Sequence, residues 1–232
     1  MKYKMDYKLN PKNHKKQGIC YIVGAGECYG LDFIPGDKDL VIAADGGYWH
    51  LQQAGIRTDL LIGDFDSLME CLDGMDNEMP DQLEQIRLPV EKDDTDTLAA
   101  VKEGEKRGYI TFYLYGGTGG RFDHTLANLQ LLAYLSMQGK QGFMVDRECV
   151  MTAITNGQIQ FDASRTGRIS VFSYTDQSIG VSERGLRYTL EDATLTSQFP
   201  IGVRNEFMGV ESEISVQRGT LLLVYAREHE KE

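Results

Sequence analysis

The sequence predicts an α/β + all-β protein, with an N-terminal open parallel α/β sheet (Rossmann-like) followed by a C-terminal β-sandwich. Up to residue 146, apolar runs of strand length alternate with segments of helical period, as in parallel sheets covered by helices. From residue 147 onward, short β-prone runs follow one another at turn-sized intervals without a helical period. The chain has 232 residues, of which 41% are hydrophobic and 25% charged, an ordinary globular composition. We expect a flexible basic leader over 1–17, an α/β domain over 18–146 and a sandwich domain over 147–232.

The parallel sheet is expected from six apolar runs that are rich in β-branched and aromatic residues. They cover residues 19–23, 40–44, 60–62, 86–88, 109–115 and 142–145. Continuously apolar runs are typical of strands that are buried on both faces. Helices are expected between the strands, over residues 46–54, 95–107 and 122–138. In the last helix, an apolar stripe at helical spacing is formed by Leu126, Leu129, Leu132 and Leu135.

The sandwich is expected from six further runs in the second half of the chain. They cover residues 150–155, 158–161, 168–174, 186–190, 213–216 and 221–225, and glycines punctuate them. Short β-prone runs separated by turns are the pattern of antiparallel sheets.

The composition excludes several classes of partner. The net charge of −11 argues against nucleic acids and anionic membranes, because both require a positive field on the protein. No apolar run approaches the ~18 residues of a membrane-spanning helix, and residues 1–16 lack the apolar core of a signal peptide. The cysteines are scattered, which favours reduced thiols in the cytoplasm over a disulfide framework or a zinc site: Cys20, Cys28, Cys71 and Cys149. If such an acidic protein acts on an anion, it must supply a metal cation or local arginines.

The most specific local feature is an Asp-x-Asp motif after the third apolar run. The strand predicted at residues 60–62 is followed by Gly63, Asp64 and Asp66, at the carboxyl end where open α/β sheets bind their ligands. Residues two apart in an extended chain project to the same side, so both carboxylates face one point. Such hard oxygen ligands suit a Mg²⁺ ion that carries substrate phosphates. The alternative is that the two aspartates only cap a turn.

A second acidic cluster opens the helix predicted from residue 95. It consists of Lys92, Asp93, Asp94, Thr95 and Asp96. Asp and Thr are expected at a helix start for capping and dipole reasons, so this cluster alone does not indicate a function. It follows a predicted strand, however, and should therefore meet the Asp-x-Asp motif at one edge of the sheet. Lys92 would contact a phosphate as a point charge.

A glycine-rich loop follows the fifth apolar run and precedes the third helix. Its glycines are Gly116, Gly117, Gly119 and Gly120. Backbone N–H groups of such a loop approach an anion closely, and the helix N-terminus behind it favours negative charge. Arg121 would bind phosphate bidentately, Asp123 adds a carboxylate, and His124 would orient a group or cap the helix. The loop is not a Walker A loop, because no Gly-Lys-Ser/Thr ends it, and a plain turn is the alternative.

Two weaker signals lie at the first two strand ends. Gly24 would receive a nucleotide phosphate, or it only permits a tight turn. Asp45 and Gly46 would bind a ligand, or they only form a turn. Four successive strand ends thus carry carboxylates or glycines. Independent turns would scatter such residues over both edges of the sheet, so their position at one edge indicates a shared, metal-dependent phosphate site.

Taken together, these motifs resemble those of the thiamine pyrophosphokinases. The resemblance is carried by segments 44–47, 62–67, 92–96 and 119–128, in the order and approximate spacing of that family, and it extends to segments 185–188 and 205–207. It covers nearly all of the chain after the leader. The resemblance implies a nucleotide-binding catalytic domain, a thiamine-binding β-sandwich and a homodimer whose thiamine sites lie between the subunits.

The resemblance also implies the reaction and its site. The thiamine hydroxyl attacks the β-phosphorus of ATP, the pyrophosphoryl group is transferred, and AMP leaves. By motif position, Mg²⁺ would be held by Asp64, Asp66 and Asp96. Arg121 and Asp123 would frame the transferring phosphates, and both Asp96 and Asp123 are candidates for the base. The other residues expected around ATP are Gly24, Asp45, Gly46, Lys92, Asp93, Gly117, Gly119, Gly120 and His124.

This residue set agrees with the chemistry of phosphoryl-type transfer. The transfer depends mainly on positioning and charge stabilisation, which carboxylate-bound Mg²⁺ and an arginine provide.

The resemblance also implies the acceptor site, which is expected at Tyr188, Arg204 and Asn205. Thiamine is a cation, and the ring of Tyr188 would attract it by about 0.5–2 kcal/mol. The alternative is that Tyr188 is a strand aromatic packed in the sandwich. Where the family usually has Thr-Ser-Asn-Glu, this chain has Val-Arg-Asn-Glu at residues 203–206. Arg204 puts a positive charge near a site for a cation, so it either points away or pairs with Glu206.

Two other functions compete with this interpretation. An apolar strand followed by Asp-x-Asp also describes phosphatases of haloacid-dehalogenase type, in which the first Asp is a nucleophile. Those enzymes usually have Thr or Val two residues beyond the second Asp, where this chain has Leu68. A non-catalytic module would instead bind ATP and Mg²⁺ and leave the nucleotide intact.

Overall fold

The computed structural model describes residues 18–65, 83–89 and 94–228, together with the backbone of residues 7 and 8. Its helices are α1 (Gly47–Ala54), α2 (Asp96–Lys106) and α3 (Phe122–Met137). The strands of the first half are β1 (Tyr7–Lys8), β2 (Cys20–Val23), β3 (Leu40–Ala44), β4 (Leu60–Gly63), β5 (Glu84–Arg87), β6 (Thr111–Tyr115) and β7 (Gln141–Val145). Those of the second half are β8 (Cys149–Thr155), β9 (Gln158–Phe161), β10 (Arg168–Ser173), β11 (Gln177–Arg184), β12 (Leu190–Thr196), β13 (Asn205–Glu206), β14 (Ser212–Ser215) and β15 (Thr220–Ala226).

The large sheet is mixed and has ten strands in the order β13-β10-β15-β8-β7-β6-β2-β3-β4-β5. From β7 to β5 every neighbouring pair is parallel, as the sequence predicts. From β13 to β7 every neighbouring pair is antiparallel. Strand β8 pairs with β7, with Val150 opposite Val145. The sheet therefore continues across the boundary predicted between residues 146 and 147.

Helices cover both faces of the parallel part of this sheet. Successive residues of β2 point to opposite faces, since Ile22 belongs to a buried cluster with Ala100 of α2 and Leu132 of α3. Its neighbour Tyr21 belongs to a cluster on the other face, with Leu51 of α1. Burial on both faces explains why these strands are continuously apolar in the sequence.

The second sheet is antiparallel and has the strand order β1-β9-β14-β11-β12. Its apolar side chains share one buried cluster with those of β8, β10 and β15 from the large sheet. In this cluster the Phe161 ring meets the rings of Phe207 and Tyr225 edge-on, at centroid distances of 5.0 and 5.1 Å. Strand β1 lies in the segment expected to be a flexible leader and pairs with β9.

The strands and helices predicted for the first half correspond to β2–β7 and α1–α3. In the second half, the strand predicted at residues 186–190 is wrong, because residues 186–189 connect β11 to β12, Leu190 is the first residue of β12, and Leu186 makes only an isolated bridge to Phe207. The domain boundaries and the Rossmann-like and β-sandwich descriptions stay predictions. None of the helices in the described part of the chain is long and apolar enough to cross a membrane.

Candidate active site

A cleft of about 810 Å³ opens where β2, β3, β4 and β6 end, beside the N-termini of α2 and α3. Four aspartates from three different segments line it: Asp45, Asp64, Asp94 and Asp96. Another part of the lining comes from the glycine-rich loop and the start of α3: Gly116, Gly117, Gly119, Gly120, Arg121 and His124. The structure thus brings carboxylates and a loop of backbone amides together around one space.

The glycine-rich loop packs directly on the chain that leaves β2. The N–H of Gly26 donates to the carbonyl of Gly116 at 3.0 Å, and the N–H of Gly24 donates to the carbonyl of Tyr115 at 2.8 Å. A Cβ atom at Gly26 would lie 2.5 Å from the Gly116 oxygen, so no larger residue fits this approach. Gly24 therefore supports the cleft without lining it.

Two side-chain hydrogen bonds hold the glycine-rich loop in place. Asn128 of α3 is 6% exposed, and its Nδ2 donates to the carbonyl of Gly117 at 2.8 Å. Thr118 donates through Oγ1 to Oδ1 of Asp146, at the end of β7, at 2.6 Å. Donors held in this way do not need to reorganise when an anion binds.

Sequence reasoning assigned no role to Asn128, although it lies in a segment that carries the resemblance. The signal that could have found it is a polar residue beside the apolar stripe of α3, two turns after the glycines. A buried polar side chain requires a hydrogen-bond partner, and the nearest loop supplies one.

The aspartates of β3 and β4 sit at turns with left-handed backbone. Asp45 is 7% exposed and has a φ of +50°, and its N–H donates to the carbonyl of Ile62 at 2.8 Å. Asp64 precedes Phe65, which has a φ of +69° and a buried ring. Left-handed backbone costs a non-glycine residue roughly 1–2 kcal/mol and concentrates at functional sites. Gly46 follows Asp45 as the N-cap of α1 and does not line the cleft.

The start of α2 carries the second acidic cluster. Thr95 is the N-cap, and its Oγ1 accepts a hydrogen bond from the N–H of Leu98 at 3.2 Å. Asp96 lies in the first turn, and both Asp94 and Asp96 line the cleft; the carboxylate of Asp94 also pairs with Lys102 at 2.6 Å. Three predicted site residues lie outside the described part of the chain: Asp66, Lys92 and Asp93.

Arg121 and Asp123 form an exposed pair at the mouth of the cleft. The guanidinium donates to both carboxylate oxygens of Asp123, at 2.6 and 3.2 Å. This bond lowers the pKa of the Asp123 carboxyl and raises the pKa of Arg121. Of these two predicted site residues, Arg121 lines the cleft and Asp123 does not.

The predicted acceptor residues lie in the second half of the chain and do not line the cleft. Tyr188 follows β11 and is 61% exposed, so the alternative that it is a packed strand aromatic is wrong. Asn205 is buried and holds the backbone of Tyr188 at both its N–H and its carbonyl group, at 2.9 and 2.6 Å. The guanidinium of Arg187 lies 5.7 Å from the centre of the Tyr188 ring.

Arg204 does not pair with Glu206. The carboxylate of Glu206 instead accepts from Arg187 at 2.9 Å. Arg204 has a φ of +68°, and its N–H donates to Oγ of Ser170 at 3.2 Å. Within the described residues, no ion pair involves the Arg204 side chain.

Two family models match the chain in succession. The model described as thiamin pyrophosphokinase, catalytic domain matches residues 34–144, which include Asp45, Asp64, Asp96 and Arg121. The model described as thiamin pyrophosphokinase, vitamin B1 binding domain matches residues 157–221, which include Tyr188, Arg204 and Asn205. The order of the two matches is the order of the two halves of the fold.

Individual proteins agree with these matches. A thiamine pyrophosphokinase of Bacillus subtilis (strain 168) is 25% identical over 189 residues, covering 81% of this chain and 87% of its own length. The crystal structure of a thiamine pyrophosphokinase from Bacillus subtilis superposes with a TM-score of 0.75 at 22% identity, covering 91% of this chain and 99% of that one. A thiamin pyrophosphokinase family protein from Enterococcus faecalis gives a TM-score of 0.75 at 24% identity, over 92% and 100% of the two chains. The structures support a common fold, and the two family models together match most of the sequence: the chain belongs to the thiamine pyrophosphokinase family.

Proposed function

We propose that this protein transfers the pyrophosphoryl group of ATP to the hydroxyl of thiamine, giving thiamine diphosphate and AMP. The observation that carries this proposal is that Asp45, Asp64 and Asp96 line one cleft together with the glycine-rich loop and Arg121. Pyrophosphoryl transfer requires charge neutralisation on one side of the phosphates and fixed donors on the other. The family models match the segments that supply both.

The triphosphate of ATP would lie against the glycine-rich loop and the N-terminus of α3. Backbone N–H groups of Gly117, Gly119 and Gly120 and the dipole of α3 favour an anion at this point. Arg121 would exchange its exposed partner Asp123 for a phosphate, because a carboxylate and a phosphate can each accept two hydrogen bonds from one guanidinium group. His124 lies in the first turn of α3 and lines the cleft, so it would contact the same phosphates.

Mg²⁺ would be held by Asp64 and Asp96, with Asp66 as the third ligand predicted from the sequence. Within the described residues, no three His, Cys, Asp or Glu side chains gather closely enough to hold a metal ion by themselves. Mg²⁺ is usually bound through one or two carboxylates together with substrate phosphates and water, so Asp64 and Asp96 fit that ion. When bound, the ion would neutralise charge on the phosphates.

Two residues are candidates for the base that accepts the proton of the thiamine hydroxyl. The hydrogen bond from Arg121 lowers the pKa of Asp123, which makes Asp123 a poor proton acceptor as long as the pair is closed. Asp123 would become a better acceptor once Arg121 turns to the phosphates. Asp96 is the other candidate, because it lines the cleft directly.

The acceptor site would include Tyr188, Arg204 and Asn205 and would be completed by a second subunit of a homodimer. None of the three residues lines the cleft of the same chain. Several apolar side chains in this part of the chain are exposed: Tyr188, Phe199, Ile201, Val203, Met208 and Val210. Exposed apolar side chains that recur in one region mark interaction surfaces, so they support association of two copies. We place the protein in the cytoplasm because its described cysteines are free thiols: Cys20, Cys28 and Cys149.

One incubation tests the proposed reaction. The protein receives ATP, Mg²⁺ and thiamine, and AMP and thiamine diphosphate are quantified by chromatography. We expect equal amounts of both products, and none when thiamine is left out. Release of free phosphate without an acceptor would support the haloacid-dehalogenase-type phosphatase instead, and binding of ATP without turnover would support the non-catalytic module. The family matches favour neither of these alternatives.

A further inference from the structure

The turn that carries Tyr188 depends on one buried amide. Asn205 accepts a hydrogen bond from the N–H of Tyr188 at 2.9 Å, and its Nδ2 donates to the carbonyl of Tyr188 at 2.6 Å. The Tyr188 side chain is 61% exposed, so its position is set mainly by its backbone. Any group that fixes the Asn205 amide therefore also fixes the backbone from which the exposed ring projects.

Glu183 of β11 is the group that completes the bonding of this amide. Nδ2 of Asn205 donates its second hydrogen to Oε2 of Glu183 at 2.8 Å, and Oδ1 also accepts from the N–H of Glu206 at 3.0 Å. An amide side chain has two donor hydrogens and two acceptor sites, so these four bonds use its full capacity. If the amide were flipped, its oxygen would lie against the Glu183 carboxylate, which has no hydrogen to donate to it. Glu183 thus selects the orientation of the amide that binds both polar groups of Tyr188.

The position of Glu183 in the core is costly for stability. The residue is 2% exposed, and its register neighbours are Ile214 of β14 and Leu190 of β12. Its Oε1 has no hydrogen-bond partner within the described residues. An incompletely paired buried carboxyl destabilises a fold, and an apolar side chain would avoid that cost. Residues that break a packing rule in this way concentrate at functional sites.

We propose that Glu183 is a positioning residue of the acceptor site, which acts through Asn205 to hold the Tyr188 turn in the geometry that binds thiamine. The inference rests on the proposed function, because that function assigns Tyr188 to the acceptor. Glu183 itself does not touch the substrate. Its side chain is buried beneath the turn, and its effect passes through the hydrogen bond to Asn205.

The test compares variants that keep or remove the acceptor oxygen. Glu183→Gln retains an oxygen at the position of Oε2, and Glu183→Met has a similar length but no oxygen. We expect Glu183→Met to raise the KM for thiamine by about tenfold or more, because the Asn205 amide loses an anchor, while the KM for ATP stays unchanged. Glu183→Gln should restore the KM for thiamine to within about threefold of wild type.

Ile214→Val is the matched control for a merely structural effect. Ile214 is fully buried and lies opposite Glu183 in the same sheet, so its truncation loosens the same region without removing a polar contact. The melting temperature of every variant is measured, and Glu183→Val is the second variant if Glu183→Met does not fold. In the double variant Glu183→Met/Asn205→Ala, thiamine should bind no more weakly than to Asn205→Ala alone, since both changes break the same link.

The outcomes separate this inference from the proposed function. An unchanged thiamine affinity in Glu183→Met, measured by calorimetry without turnover, overturns the role of Glu183. The role is also overturned if the KM for thiamine and the KM for ATP rise together in both Glu183→Met and Ile214→Val. A Glu183→Gln variant that behaves like Glu183→Met overturns it as well. The proposed function fails in a different place, because wild-type protein would then form no AMP and no thiamine diphosphate.

Discussion

Replacing Asn128 by alanine tests whether the glycine-rich loop must be held in place for the reaction. Asn128 is 6% exposed, and its Nδ2 donates to the carbonyl of Gly117 at 2.8 Å. Alanine removes this donor and leaves the buried carbonyl without it. The loop carries the N–H groups that we propose to bind the phosphates of ATP, so its displacement should weaken their binding in the transition state.

The expected magnitudes follow from the loss of one buried hydrogen bond. A buried polar group that loses its partner costs about 1–3 kcal/mol of unfolding free energy. For a domain of this size, a change of 1 kcal/mol shifts the melting temperature by about 2–4 °C, so Asn128→Ala should melt about 2–12 °C below wild type. If the transition state bears the whole cost, kcat/KM for ATP falls about 5- to 150-fold. Calorimetric melting and the initial rate of AMP formation measure the two effects.

Ser136→Ala provides the control on the same helix. Ser136 of α3 is 8% exposed, and its Oγ donates to Oγ1 of Thr155 at 3.0 Å, remote from the cleft lining. This variant should lose a comparable amount of stability and keep kcat/KM for ATP at the wild-type value. If both variants melt lower and neither changes kcat/KM for ATP, Asn128 does not position the loop and the reasoning is refuted.

Three further predictions concern the metal, the acceptor and the pH dependence of stability. Asp64→Asn should abolish Mg²⁺-dependent AMP formation with little change in melting temperature, because the amide is isosteric but uncharged; turnover near wild type would remove Asp64 from the metal site. Tyr188→Ala should raise the KM for thiamine about 2- to 30-fold, whereas Tyr188→Phe keeps the aromatic face and should not; an effect confined to the KM for ATP would contradict this placement. Burial raises the pKa of Glu183 above its ordinary value of 4.5, so the folded protein holds this proton more tightly than the unfolded chain does. Wild-type stability relative to Glu183→Gln should therefore fall as the pH rises above 4.5, and a difference in unfolding free energy that does not vary with pH would count against the raised pKa.

The parallel part of the fold could be predicted because its sequence signal is strong and local. Strands β2, β3 and β4 are buried on both faces and contain few polar residues, which distinguishes them from helices by length and composition. Their order in the sheet follows from short connections between sequential strands. The helices lie near their predicted bounds, because Thr95 caps α2 and because the apolar stripe of α3 has a clear period.

The antiparallel part was harder to predict, because several of its strands carry exposed polar residues and are not continuously apolar. Strands β11 and β12 carry exposed and partly buried polar residues, including Gln177, Glu191 and Asp192, and they were not predicted. Their pairing is also irregular, with register shifts between Ile179 and Val181 and between Val181 and Glu183. The alternation of buried and exposed side chains along a strand is interrupted at such bulges, so no short window of the sequence shows it. Strand β8 pairs with β7 through a short hairpin, but its other neighbour is β15, which lies some 70 residues away along the chain, and no local pattern encodes that choice.

In the candidate site, the sequence indicates which residues belong to the site better than it indicates where their side chains lie. Asp45, Asp64 and Asp96 could be selected from the sequence because carboxyl ends of parallel strands share one edge, and they line one cleft. Asp123 was selected with the glycine-rich loop, yet its carboxylate faces solvent beside Arg121. The difference arises at the helix start, where one residue of rotation, about 100°, decides whether a side chain faces the cleft. Sequence spacing alone does not fix that rotation.

The geometry of the cleft carboxylates depends on the core beneath them. The left-handed conformations of Asp45 and Phe65 are unfavourable for isolated residues and must be imposed by their surroundings. At Phe65 the imposing force is burial, since its ring is 7% exposed in the cluster that contains Tyr48 and Leu51 of α1. Full burial of such a ring contributes about 1.5–3 kcal/mol, which is enough to offset roughly 1–2 kcal/mol of backbone strain. A truncated ring at position 65 should therefore release the turn and move Asp64 away from Asp45 and Asp96, so the catalytic arrangement and the hydrophobic core cannot be altered independently.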